Sequence, residues 1–107
     1  MNAPNVTHLQ FQVLGILIGG TKSGQSIRSE LLRQGVKKSG PGFYQLMARL
    51  EDAGFVKGWY EQRQIGDQAV KERFYHLTGK GSQTWRRTKD FYLQQFKLVA
   101  SGGLARG

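Results

Sequence analysis

Apolar positions between residues 9 and 53 recur every three or four places, and from residue 55 they give way to aromatic and β-branched stretches. Thr7 can cap a first helix whose apolar residues form two stripes, Leu9/Val13/Ile16/Leu17 and Phe11/Leu14/Ile18, with Gly19 and Gly20 ending it. Two stripes require two packing partners. Ser23 can cap a second, shorter helix that turns Ile27, Leu31 and Leu32 inward and Arg28 and Arg33 outward before Gly35 closes it. After Lys37-Lys38-Ser39-Gly40-Pro41-Gly42, a third helix buries Phe43, Leu46, Met47, Leu50 and Ala53 and stops at Gly54. Its opposite face presents Tyr44, Gln45, Ala48, Arg49 and Asp52.

The segments Phe55–Tyr60 and Val70–Leu77 flank Ile65-Gly66-Asp67-Gln68 and predict a β-hairpin. Thr78 then caps a last helix running to about Ala100, followed by a fraying tail at Ser101-Gly102-Gly103. Three short helices, a hairpin and a long helix make a mainly α fold: a winged helix-turn-helix over residues 1–78, joined in one compact unit to a C-terminal dimerisation helix and tail over 79–107. The last helix places Trp85, Tyr92, Phe96 and Val99 on one face of a rod roughly 33 Å long, more than a winged-helix body covers. A second copy of the chain is the natural cover, met also by Leu14 and Ile18 of the first helix.

Composition narrows the chemistry. With 107 residues there is room for one core, and the absence of cysteine excludes thiol catalysis, disulfides and cysteine-based zinc sites. The longest apolar run, Val13–Ile18, is far too short to span a membrane, and no Lys or Arg precedes it to make a signal peptide, so a cytoplasmic protein is expected. Sixteen Lys and Arg against seven Asp and Glu give a formal charge of +9. Polyanionic partners follow, through attraction that weakens with salt. The excess is uneven: residues 21–54 and 79–107 are clearly basic, whereas 55–78 carry four cations against three anions.

In such a fold the third helix enters a major groove and the hairpin touches the backbone or minor groove beside it. Tyr44 and Gln45 can approach base edges, while Arg49, Lys37, Lys38 and Ser39 can reach phosphate or guanine. Arg63 and Lys71 are the preferred wing contacts, with Arg73 beside them, although Asp67, Glu61 and Glu72 dilute the charge. Each has a plainer reading, a solvated helix face or an ordinary hairpin. Enzyme-like features dissolve: Gly15–Lys22 has Thr21 where a phosphate-binding loop needs Lys, and His8 and His76 lack ligand-spaced neighbours. Neither an enzyme, a metal nor a cofactor is expected.

Val13-Leu14-Gly15-Ile16-Leu17, Ser39-Gly40-Pro41-Gly42-Phe43-Tyr44, Arg49-Leu50-Glu51, Asp52-Ala53-Gly54-Phe55-Val56 and Phe74-Tyr75-His76-Leu77-Thr78, in that order, resemble the PadR family of bacterial transcriptional regulators over about residues 9–95. The resemblance implies a homodimeric winged-helix repressor whose single C-terminal helix pairs the subunits. It makes Tyr44 the recognition-helix tyrosine and Arg49 its arginine, and places Arg73 among the wing's basic residues. It also implies a planar aromatic or cationic effector held between subunits by rings such as Trp85 and Tyr92, against the commoner use of such rings in packing. Ala48 and Gly42 stand where the family often has Lys and Thr, and the wing is less basic, so Lys37 and Lys38 are expected to compensate. The resulting expectation is an operator-binding repressor. Its rivals are a winged-helix protein-interaction module and an RNA- or ribosome-associated basic protein, the latter without the aromatic platform that single strands require.

Overall fold

The computed structural model describes residues 5–102, so the tail expected from Gly103 onward lies outside the described residues. Each helix begins on a side-chain cap, and those of Thr7, Ser23 and Thr78 are the ones expected from the sequence. Thr7 starts α1 (His8–Leu17) by accepting the Gln10 N–H, and the Gln10 side chain returns to the Thr7 N–H. Ser23 caps α2 (Gly24–Arg33) through the Ser26 N–H, and Ser39 caps α3 (Gly40–Asp52) through the Gly42 N–H. Helix α3 thus starts at Gly40, earlier than the apolar pattern suggests. Pro41 has no N–H to lose in a first helical turn, so the Ser39 cap can precede it.

Between α1 and α2 lies β1 (Lys22–Ser23), and after α3 come β2 (Val56–Ile65) and β3 (Gln68–Leu77). The hairpin closes through Gly66-Asp67, and all three strands form an antiparallel sheet in the order β1-β3-β2. The sequence does not reveal β1, which is two residues long and ends on the residue that caps α2.

The core lies where α1, α2, α3 and the base of the sheet meet: Val13, Leu14 and Leu17 pack with Ile27, Leu31, Phe43, Met47, Leu50, Val56 and Tyr75. Finally α4 (Gly79–Ala100) runs off this body. Its first turn is fitted to the end of α3, since a methyl group at Gly81 would collide with the Phe55 carbonyl oxygen. The distal part, from Tyr92 on, is exposed. The Cα radius of gyration is 16.8 Å, against about 13 Å for a compact chain of this length. That excess is the projecting helix and wing.

Candidate nucleic-acid interface

The inward face of α3 is consumed by the core, with Phe43, Leu46, Met47 and Leu50 buried, which turns Tyr44, Gln45, Ala48 and Arg49 to the surface. Tyr44 is 47% exposed and its ring meets Phe43 edge-on at 5.3 Å, so the side chain is anchored at its root while its edge is open. The turn before α3 is fixed by the Arg28 guanidinium, which donates to the Lys38 carbonyl at 3.1 Å. Lys37 projects from this turn, and the Lys38 stem lies over the first turn of α3 at Gly42. Ser39 follows them with its hydroxyl engaged as the cap. The N-terminus of α3 therefore carries positive charge from two lysines as well as from its own unpaired N–H groups.

The wing divides its charges. Lys71 pairs with Gln62 and Arg73 with Tyr60 across the hairpin, on the face that carries Tyr75; Arg63 pairs with Val70 and leaves by the opposite face. Arg63 is bound to Glu72 at 2.7 Å, which relieves the direct opposition of Glu61 and Glu72. Arg73 is bound to Glu51 of α3, also at 2.7 Å. Lys37, Lys38, Arg49 and Lys71 form no ion pair among the described residues, so these four are the uncommitted cations of the expected DNA face. A groove of about 380 Å³ runs between α3 and the wing, bordered by Tyr44, Arg63, Lys71 and Arg73. It is also bordered by Gln25 and Tyr60, which sequence reasoning missed. Gln25 follows the α2 cap, a position with no chemical signature of its own, and the alternating pattern reads Tyr60 only as a strand residue.

The expected subunit surface needs one correction. Leu14 is fully buried in the protomer's own core, although it lies on the second stripe of α1, and it has no surface to offer a partner. Phe11 of the second stripe stacks on Trp85 at 6.2 Å and leans on Tyr92 at 5.5 Å, so α4 covers it. Trp85 is half-buried there, and a methyl at Gly15 would come within 3.1 Å of its indole nitrogen. Ile18, Tyr92, Phe96 and Val99 remain exposed, joined by Leu93 and Leu98; Phe96 reaches 69% and Val99 54%.

No helix among the described residues is long and apolar enough to cross a membrane. No family model matches the sequence, and no curated protein is significantly similar to it. Among solved structures, a PadR family transcription regulator from Clostridium difficile superposes with a TM-score of 0.75 at 17% identity, over 89% of this chain and 97% of that one. A PadR-like regulator from Bacillus cereus gives a TM-score of 0.72 at 22% identity over 92% of both chains. The fold is that of the PadR-like regulators. Bacillus subtilis PadR, solved in complex with operator DNA, shares this PadR-like fold at a TM-score of 0.63 and 22% identity; the match spans 87% of this chain and 59% of that longer one. These likenesses establish the winged helix-turn-helix with its long last helix.

Proposed function

We propose that this chain is a sequence-specific DNA-binding transcriptional regulator of the PadR type. The observation that carries the reading is the division of α3: one face is sealed in the core, while the other offers Tyr44, Gln45 and Arg49 beside the free cations Lys37 and Lys38. The operator complex of the Bacillus subtilis protein of like fold supports the same reading. The winged helix, residues 1–78, reads DNA, and residues 79–107 supply the subunit contact, with Ile18, Tyr92, Phe96 and Val99 meeting a second copy. A dimer so formed presents two α3 helices to successive major grooves about 34 Å apart, and hence a palindromic site.

Such a regulator acts as a repressor in the bacterial cytoplasm, by occupying a promoter. Release by a planar aromatic effector would use the rings of Trp85 and Tyr92, which already flank Phe11. Selection of binding sites from random duplex DNA tests the reading: a recovered palindrome supports it. Recovery of no consensus would favour the winged-helix interaction module, a reading to which the paired charges of the wing lend some support.

A further inference from the structure

The sequence marks Arg73 as a phosphate contact, but the structure gives it another occupation. Its guanidinium donates to Glu51 Oε1 of α3 at 2.7 Å, and its side chain is only 22% exposed. It lies over the ring of Tyr60 at 4.7 Å and that of Tyr75 at 5.5 Å, a planar cation held between two aromatic groups. Gly58 lies directly across the hairpin from Tyr75. A methyl group there would strike Glu51 Oε1 and come within 2.9 Å of both Arg73 Nη2 and Tyr75 Cε1. The strand therefore lacks a side chain at the one place where the ion pair passes over it.

The Tyr60–Arg73 rung is also the last that holds the wing. Residues 61–71 are exposed, and their side-chain hydrogen bonds stay within the hairpin. No polar link further out joins the wing to the body among the described residues.

We infer that Arg73 is a positioning residue, which with Glu51 fixes the angle between the wing and the base-reading helix, and that it is not itself a DNA contact. The inference rests on the DNA-binding reading for its purpose, though not for its geometry. It separates from a phosphate-contact role because the two answer differently to substitution. The salt slope of a phosphate contact depends on its charge, so Lys in place of Arg would preserve the slope, and removing the charge would lower it by about one. A strut built from a flat guanidinium between two rings is not replaced by an ammonium. Neutralising Glu51 would tighten DNA binding if bulk electrostatics governed, and would weaken it if the strut does.

The experiment compares wild type, Glu51→Gln, Arg73→Lys and Arg73→Ala. Backbone order parameters of residues 62–71 are measured in the free protein, and salt-dependent affinity for the duplex that wild type selects from random DNA is measured alongside. In all three variants we expect wing order parameters to fall below about 0.6 while those of α3 stay high. We also expect affinity to drop about tenfold with the salt slope unchanged. Wild-type wing order in Glu51→Gln would overturn the inference, as would a slope lowered by about one in Arg73→Ala and preserved in Arg73→Lys. Should wild type select no duplex, the regulator reading fails, and the order parameters alone decide the strut.

Discussion

The Thr78 hydroxyl donates to the Gly54 carbonyl at 2.6 Å and accepts the Gly81 N–H at 3.0 Å, so one side chain both starts α4 and holds the end of α3. Its own N–H donates to the Phe55 carbonyl at 3.0 Å. The end of α3 and the start of α4 are stitched together at this residue. Replacing Thr78 with Ala removes the cap, worth about 1 kcal/mol, and strands a partly buried carbonyl at a similar cost. Urea denaturation should show a loss of roughly 2 kcal/mol. Thr78→Ser should retain most of it.

Much of this architecture is legible in the sequence because its cues are local. Thr7, Ser23 and Thr78 cap the helices they announce, and the apolar spacing from Phe43 to Leu50 marks the buried face of α3, whose cap, Ser39, the apolar pattern does not announce. What escapes is decided at a distance. Phe11 and Leu14 look like a stripe awaiting a partner subunit, and only the return of α4 and the packing of the core show them covered. Glu51 and Arg73 stand 22 residues apart, and nothing near either one announces the other. Likewise Arg63 and Lys71 look equivalent until the strand register sends them to opposite faces and joins Arg63 to Glu72.

Lys37 and Lys38 flank the start of α3 without an ion pair among the described residues. Each phosphate neutralised adds about 0.9 to the slope of log affinity against log salt. Changing both lysines to Ala should flatten the slope by about 2 for each DNA-bound protomer and weaken binding uniformly across sequences. Anisotropy titrations over a salt series measure it.

Phe96 is too exposed to support the protomer's own fold. Phe96→Asp should leave the melting temperature of a dilute sample within a few degrees of wild type. Sedimentation equilibrium should show a dimer for wild type and a monomer for the variant. Operator affinity should fall with it, because two half-sites are then no longer held together.

Burial pushes the Tyr75 phenol above the ordinary tyrosine value, against the opposing pull of the Arg73 guanidinium. A raised folded-state value means that the native state favours the neutral phenol. This contribution is therefore complete below about pH 10, the unfolded value, and is lost as pH rises through the folded one. Denaturation between pH 7 and 11 should show stability declining from about pH 10 upward. Tyr75→Phe should reduce that alkaline decline.

The most direct measurement is fluorescence anisotropy of wild type and Tyr44→Ala/Arg49→Ala on a duplex selected from random DNA and on a scrambled duplex of equal length, at moderate salt. Wild type should prefer the selected duplex by about a thousandfold or more, and the double variant should lose most of that preference while still binding both weakly. Equal binding of the two duplexes by wild type, or a double variant that retains full preference, would contradict the assignment of α3 as the element that reads sequence.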